Sequence, residues 1–283
     1  MAPKSTPQSW NAAYGHVRRG PRTEFGPGEK LAVQHLAKRV PLGAGVSVIE
    51  LGGGGGSFLL PFARLGCSCY SFDFSDAGLS AARELFSREG HKLETISGDL
   101  MKLDPQLLAR FDVVVSYGLC EHFRGEDRTA VVSAHAQLMK PGGASLISVP
   151  NRASPFYQLW WAAARFLTLV GQARRFDVNI VDEWAFTRGE LTRRCREAGL
   201  DDVVVIGTPV AGDFIDMLAR PIVKFLRRLG GRDYRRPPRA HAFRSPIDDP
   251  FGSYLYCVAA ETPAPVADKN SSRETANRRA DQT

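Results

Sequence analysis

Short apolar runs alternate with stretches of helical periodicity through most of the chain, and this alternation limits the folds that it can adopt. The pattern is typical of a mostly parallel sheet covered by helices on both faces. The sequence therefore predicts an α/β, doubly wound fold. The predicted strands are Val46–Leu51, Cys69–Phe74, Leu93–Ser97, Phe111–Ser116, Ala144–Val149, Val203–Ile206 and Tyr254–Ala260, and the predicted helices are Ser57–Leu65, Ala77–Glu89, Glu126–Met139 and Thr187–Ala198.

Composition predicts one folded domain with polar ends. Residues 1–9 and 261–283 are poor in large apolar side chains, so we expect them to be disordered. One domain then covers residues 10–260, which is long enough to bury a sizeable core. Two segments interrupt the alternation: residues 151–186, which we interpret as a lid, and residues 208–249, which we interpret as a basic insertion.

Positive charge is concentrated in one part of the chain. The net charge of the 283 residues is +7, and residues 217–246 hold nine Arg or Lys against a single acidic residue. A solvated surface is the simplest interpretation, and contact with an acidic or lipid-like substrate or with a membrane surface is the next. Nucleic acid is disfavoured as a partner because no recognised binding module accompanies the charge.

The sequence also predicts where the protein resides and the state of its thiols. The N-terminal residues lack the apolar core of a secretory signal, and no window reaches the roughly 18 apolar residues of a membrane span. We therefore expect a cytoplasmic protein. Its five cysteines form no C-x-x-C pair, which predicts reduced, buried thiols and no bound metal.

Five consecutive glycines, Gly52–Gly56, lie between two apolar runs, where bare backbone can approach a ligand closely. A phosphate loop needs Lys and Ser or Thr directly afterwards, and Ser57-Phe58 follows here instead. The G-x-G-x-x-G spacing of dinucleotide sites also fails. Glu50 precedes the glycines, and its carboxylate would repel a pyrophosphate. The stretch therefore favours a cofactor whose near end is cationic.

The run Glu50–Gly56 resembles the E/D-x-G-x-G-x-G motif of class I S-adenosylmethionine-dependent methyltransferases. Asp73 resembles the family's ribose-binding acid, and Gly98-Asp99-Leu100 resembles its adenine-binding element. Phe111–Ser116 and Leu138–Gly143 look like its fourth strand and the following turn. The resemblance implies S-adenosylmethionine as cofactor and this set of binding residues: Glu50, Gly52, Gly54, Gly56, Asp73, Phe74, Asp99, Leu100 and Ser116.

Asp73 and Asp99 also have structural interpretations. Asp73 could cap the next helix, although Ser75 or Asp76 is better placed for that, and Asp99 could close a turn. Asp112 opens a strand, and we interpret it as structural. With the resemblance, the full fold prediction is a Rossmann-like, doubly wound seven-stranded sheet whose last strand is antiparallel, forming a methyltransferase domain.

His122 is the candidate catalytic base. It follows the fourth strand, at the sheet edge where ligands bind in such folds. The pair Glu121-His122 resembles the E-H of ubiquinone- and menaquinone-type methyltransferases, in which it often packs against the cofactor, so a structural role stays open. Some quinone-pathway relatives carry a metal-linked Glu three residues before this pair. Gly118 stands there, which argues against a metal.

The acceptor pocket of such enzymes is usually built from the N-terminal segment and the insertions. Aromatic side chains in both segments, together with one after the fourth strand, could enclose a small acceptor. The alternative is ordinary core packing. The predicted substrate-binding residues are Tyr14, Tyr117, Tyr157, Trp160 and Trp184, with Trp10, His16 and Trp161 nearby in the sequence.

The function expected from the sequence is methyl transfer from S-adenosylmethionine to a small organic acceptor, at a hydroxyl of a secondary metabolite or quinone-like ring. One alternative is N- or C-methylation of a small-molecule or lipid-like acceptor. Another is a regulatory protein that binds the cofactor without chemistry, and a third is nucleic-acid modification. The sequence predicts no particular oligomeric state.

Overall fold

The computed structural model describes residues 6, 8, 10, 11, 22, 24–171, 183–212 and 245–261, and in them a seven-stranded sheet has the order β3-β2-β1-β4-β5-β7-β6. Strands β1 to β5 pair in parallel, and β7 is antiparallel to both β5 and β6. The predicted fold class is confirmed. The strands are β1 Ser47–Leu51, β2 Ser68–Asp73, β3 Glu94–Ser97, β4 Phe111–Tyr117, β5 Met139–Pro150, β6 Asp202–Gly207 and β7 Tyr254–Ala260.

Helices connect these strands, and two of them begin at the predicted caps. The Ser75 hydroxyl accepts a hydrogen bond from Gly78 N–H, and the Thr187 hydroxyl accepts one from Glu190 N–H, so each satisfies an N–H group that a helix end leaves free. The helices are α1 Pro27–Ala37, α2 Leu60–Arg64, α3 Asp76–Arg88, α4 Gly125–Leu138, α5 Pro155–Leu169, α6 Arg188–Glu197 and α7 Asp248–Phe251.

Three element predictions need correction. Helix α2 begins at Leu60 rather than Ser57, because Gly56 has a φ of 63° and the chain is still turning after it. Helices α1, α5 and α7 were not predicted. The predicted turn within Leu138–Gly143 lies almost wholly inside β5, where the pairing with β4 shifts register between Phe111 and Val113 and Gly142 has a φ of 80°.

Two hydrophobic clusters lie on opposite faces of the sheet. The first packs α4 and α6 on one face, with Ile49, Val114 and Ile147 from the central strands. The second packs α1, α2 and the end of α3 on the other face, with Val48 and Val115. Neighbouring residues of one strand contribute to opposite clusters because side chains alternate along a strand. The sheet is therefore buried on both faces, and its strand ends are where a ligand can bind.

Asp112 has the structural role that was expected. Its carboxylate accepts hydrogen bonds from the Ser47 N–H and hydroxyl, and from Lys140 Nζ at 2.9 Å. Burial raises the pKa of Asp112, but these donors outweigh it and leave the pKa below its usual value. The carboxylate thus ties the starts of β1, β4 and β5 together at the amino edge of the sheet.

Several predictions concern residues outside the described part of the chain. These are the disorder of the two ends apart from residues 6, 8 and 261, most of the basic window at 217–246, and two N-terminal side chains, Tyr14 and His16. In the part that is described, no helix is both long enough and apolar enough to cross a membrane. All five cysteines are free and buried, as predicted.

Candidate functional site

The loops after β1, β2 and β3 meet at the carboxyl edge of the sheet. Gly52 N–H and Gly53 N–H donate to the Phe72 carbonyl at 2.8 and 3.2 Å, so the glycine loop lies against the end of β2. Gly98 N–H donates to the Asp73 carbonyl at 3.1 Å, which brings the loop after β3 alongside. Backbone contacts thus gather three motifs that are distant in sequence.

The glycine loop leaves no room for side chains at three of its positions. A Cβ atom on Gly53 would lie 2.5 Å from Ser71 Oγ, and one on Gly52 would lie 2.8 Å from Leu119 Cδ1. A Cβ atom on Gly56 would lie 3.0 Å from Ala82 Cβ. Gly52 and Gly56 also have φ values of 66° and 63°, where L side chains are strained. The fold therefore requires glycine at these positions, and the turn that they form carries no side chains.

Asp73 is held under this turn by backbone donors. It is 5% exposed; its Oδ2 accepts from Gly54 N–H at 2.9 Å and its Oδ1 from Ser75 N–H at 2.8 Å. Burial raises the pKa of Asp73, and the N–H groups of Ser75, Gly54 and Phe74 partly offset that shift. Each carboxylate oxygen keeps acceptor capacity, so the group can receive two more donors. Helix capping falls to Ser75, which leaves Asp73 available to a ligand.

The other acids predicted to bind the cofactor lie on either side of Asp73. Glu50, 4% exposed, is the next-to-last residue of β1, two positions before the first glycine. Asp99 is exposed, and its Oδ1 accepts from Met101 N–H at 2.9 Å, so it does close a turn while its second oxygen remains available for another donor. Phe74 and Leu100 are half-buried beside these loops.

The Ser116 side chain is oriented into the core. Its hydroxyl lies 2.9 Å from His135 Nε2, while His135 Nδ1 lies 2.9 Å from the Val131 carbonyl. Nδ1 must therefore carry the ring proton, and Ser116 donates to Nε2. Burial lowers the pKa of His135 to about 4, which keeps the ring neutral. Any contact of Ser116 with a cofactor would have to come from its backbone.

Trp10 and Asn11, near the N-terminus, contact two of the loops at this edge. The rings of Trp10 and His122 pack edge to face with centroids 5.2 Å apart. The neighbouring Asn11 Oδ1 accepts from the Ser75 hydroxyl at 2.6 Å and from Ala77 N–H at 3.4 Å. The segment thus connects the loop after β4 with the start of α3. No motif in the sequence marks Asn11, and this contact was missed.

Tyr117, a predicted substrate-binding residue, lies among aromatic and charged neighbours. Its ring stacks on Tyr254 with centroids 5.9 Å apart and contacts Phe58 at 4.9 Å. The Arg22 guanidinium lies 4.9 Å above the ring, and it also forms a 2.5 Å ion pair with Glu29. Tyr117 is therefore half-buried and packs against the second hydrophobic cluster.

The carboxyl groups of buried Glu121 and half-buried Glu183 lie close to the Tyr157 phenol, next to His122; the sequence marked Glu121 only as part of the Glu121-His122 pair and did not mark Glu183. Glu121 is 2% exposed and its Oε2 accepts no hydrogen bond from the described residues. Burial raises the pKa of Glu121 to about 8, with a further contribution from Glu183. Burial also raises the pKa of Glu183 to about 7, although a hydrogen bond with Tyr157 opposes the shift. Both carboxyl groups therefore keep their protons to higher pH than an exposed acid does.

The pH dependence of the protein's stability should reveal the titration of Glu121. The folded-state pKa of Glu121 is raised from 4.5 to about 8, so its contribution to stability is full below pH 4.5 and is lost as pH rises through about 8. Glu121→Gln removes this titration, and we expect it to raise the melting temperature by a few degrees near pH 9 but not near pH 5. Thermal unfolding across that range measures the effect. Glu126→Gln, on the exposed first turn of α4, is the control, and equal pH slopes in wild type and Glu121→Gln would contradict the assignment.

The predicted acceptor-binding residues of the lid lie at different depths. Tyr157 is 9% exposed and contacts Trp160 at 6.2 Å between centroids, whereas Trp160 is 41% exposed. Trp184 is 46% exposed, and its backbone N–H donates to the Glu121 carbonyl at 2.8 Å. The Arg124 guanidinium lies 4.0 Å from the Trp184 ring. Tyr157 and Trp184 are therefore brought to the residues beside His122, while Trp160 faces outward.

The side chains described at this edge suit a nucleoside that carries a cationic group. No group of three or more His, Cys, Asp or Glu side chains suited to a metal occurs among the described residues. The bare turn and the buried Asp73 do fit a nucleoside with two adjacent hydroxyls, and Glu50 fits a cationic group beside it. Fold and site together define a nucleoside-cofactor enzyme of the doubly wound α/β class.

Comparison with known proteins identifies the family. The family model described as a methyltransferase domain matches residues 26–205, and the chain belongs to this family. It is 30% identical over 194 residues to the ubiquinone biosynthesis O-methyltransferase of Thiobacillus denitrificans, covering 66% of this chain and 79% of that one. The corresponding Aromatoleum aromaticum protein is 29% identical over 165 residues, covering 58% and 68%. The chain is an S-adenosylmethionine-dependent methyltransferase.

Solved structures show the same fold. The phosphoethanolamine N-methyltransferase 2 of Haemonchus contortus, in complex with S-adenosyl-L-methionine, superposes with a TM-score of 0.57 at 17% identity, covering 90% of this chain and 57% of that one. A SAM-dependent methyltransferase from Thermotoga maritima has a TM-score of 0.51 at 14% identity, covering 82% and 87%. At these identities the likeness concerns the fold alone.

Proposed function

We propose that this methyltransferase acts on a small organic acceptor and methylates a hydroxyl of a quinone-like or secondary-metabolite ring. The observation that carries the proposal is an imidazole, His122, in the loop after β4, on the same sheet edge as the glycine loop and Asp73. The names of the relatives support an oxygen acceptor. The catalytic domain is proposed to cover residues 10–260.

The cofactor, when bound, supplies an electrophilic methyl group on a sulfonium. In the proposal, Asp73 accepts hydrogen bonds from the ribose hydroxyls, and Asp99 accepts one from the adenine amino group. Glu50 attracts the cationic methionine end. Gly52, Gly54 and Gly56 contribute backbone, and Phe74, Leu100 and the Ser116 backbone complete the walls. The buried, backbone-anchored carboxylate of Asp73 supports this assignment because it is oriented before the ligand arrives.

The acceptor is proposed to bind between the loop after β4 and the lid. Tyr117, Tyr157 and Trp184 would enclose its ring, with Tyr14 and Trp160 as further contacts. His122 takes the proton that the acceptor hydroxyl loses as the new C–O bond forms and the C–S bond breaks. The contact with Trp10 supports this role because it restrains the imidazole.

Mass spectrometry of a cell extract incubated with purified protein and isotopically labelled S-adenosylmethionine tests the proposal. The expected product gains one labelled methyl group on a hydroxyl oxygen of an aromatic or quinone-like compound. Label on nitrogen or carbon would instead establish one of the alternative acceptors. A reaction with heat-inactivated protein is the control.

A further inference from the structure

Residues 183–186, at the end of the predicted lid, are fastened to the loop that carries His122. The backbone N–H of Trp184 donates to the Glu121 carbonyl at 2.8 Å. The Trp184 carbonyl accepts a hydrogen bond from the guanidinium of Arg128, which is 7% exposed. Trp184 is therefore held through both its N–H and its carbonyl, and through Glu121 it is joined to the residue directly before His122.

Two carboxyl groups meet across this contact. Glu121 is 2% exposed, and its Oε2 has no hydrogen-bond partner in the described part of the chain. Glu183 is half-buried and hydrogen-bonded to the Tyr157 phenol, and its charge is close enough to raise the pKa of Glu121. Two neighbouring carboxylates that are shielded from water repel each other when both are ionised. The observed contact therefore needs at least one proton on this pair.

Arg128, on α4, brings a positive charge near the pair but does not neutralise it. Its charge opposes the rise in the pKa of Glu121. Its guanidinium, however, is bonded to Glu190 at 2.6 Å and to the Trp184 carbonyl, and it lies 3.7 Å from the Phe186 ring. Arg128 is thus committed to groups other than the two acids, and burial remains the larger influence on Glu121.

Two further titratable neighbours stay neutral. Tyr157, on α5, donates to Glu183, and burial raises the pKa of its phenol. Burial also raises the pKa of the Cys120 thiol, next to Glu121 in the chain. For the two acids themselves, burial raises the pKa of Glu121 to about 8 and that of Glu183 to about 7. The pair therefore gives up its last proton near pH 8.

We infer that Glu121 and Glu183 form a pH-sensitive latch that positions His122. While the pair holds a proton, residues 183–186 stay bound to the loop after β4. When both acids are ionised, their repulsion loosens the contact and displaces this loop. The two acids are positioning residues, since the group proposed to meet the acceptor is His122, whose ring packs on Trp10. The consequence for turnover rests on the proposed function, whereas the latch itself belongs to the protein without any acceptor.

Fluorescence of Trp184 tests the latch in the absence of an acceptor. Subtracting the emission of Trp184→Phe from that of the wild type isolates its signal, and acrylamide quenching measures its exposure. Quenching is expected to rise about twofold between about pH 6 and pH 9.5, with a midpoint near 8, since Trp184 is 46% exposed while the latch is closed. Glu121→Gln or Glu183→Gln leaves a single acid and should abolish the rise, and either variant suffices if the other folds poorly. Glu126→Gln, on the exposed first turn of α4, is the control and should behave as the wild type.

Turnover supplies the second measurement once an acceptor has been identified. Between about pH 7 and pH 9 the kcat of the wild type should fall about tenfold relative to that of Glu183→Gln, because the amide keeps the latch closed. Quenching that does not change with pH, or that rises equally in the wild type and both Gln variants, would overturn the latch. A normal quenching transition with parallel pH profiles of kcat would overturn the link to His122. Absence of turnover with an intact quenching transition would support the latch and count against the proposed function alone.

Discussion

Replacing His122 with Gln is expected to reduce the turnover of an oxygen acceptor by about 100- to 10,000-fold, the range that a general base contributes. A neutral hydroxyl is a poor nucleophile, and Gln cannot take its proton. The defect should shrink as pH approaches about 10, where a phenol ionises without a base. Steady-state kinetics across pH, together with calorimetry of cofactor binding, measures both effects.

The control for this variant is His91→Gln. His91 lies between α3 and β3, at the amino edge of the sheet, and its backbone N–H bonds to the Phe86 carbonyl. We expect it to keep full turnover. A His122→Gln enzyme with near-normal turnover at neutral pH would mean that another group takes the proton, or that the acceptor atom needs no base. Unchanged cofactor affinity in His122→Gln would show that the loss concerns chemistry rather than the cofactor pocket.

Asp73→Asn is expected to weaken binding of S-adenosylmethionine by roughly 100-fold, since hydrogen bonds to a charged acceptor contribute about 1.5 to 3 kcal/mol each. A second reason to expect weaker cofactor binding lies in the hydrogen bonds that Asp73 makes within the protein. Both oxygens of Asp73 accept backbone N–H groups, from Gly54 and Ser75, so an Asn amide would have to direct its NH₂ at one of these donors. Isothermal calorimetry with the cofactor and its demethylated product measures the loss.

Asp104→Asn is a matched control for this experiment. Asp104 is also a carboxylate that accepts a backbone N–H, from Gln106 at 2.9 Å, but it is exposed and caps the short helical turn that precedes β4. Its cofactor affinity should equal that of the wild type. An Asp73→Asn protein that binds the cofactor as tightly as the Asp104→Asn control would remove Asp73 from the proposed ribose site.

Local and periodic features of the sequence were sufficient to predict the strands of the sheet and two of the helix caps. Alternating apolar runs predicted the strands because a buried sheet needs apolar residues on both faces, and the Ser75 and Thr187 caps could be predicted because a cap involves residues three apart. The glycine run could be located because residues 52–56 are contiguous. Where the helix after it begins depended on the conformation of Gly56, and this was predicted wrongly.

The sequence by itself determined the fold class and the acids near the carboxyl ends of β1 and β2, Glu50 and Asp73, since these features are encoded in short stretches of residues. Only the tertiary structure decided which distant residues meet: Asn11 with Ser75, Glu121 with Glu183, and Ser116 with His135. Such contacts follow from how loops and helices pack over the sheet. No local pattern encodes them, because the partners are separated along the chain and meet only once the core has formed.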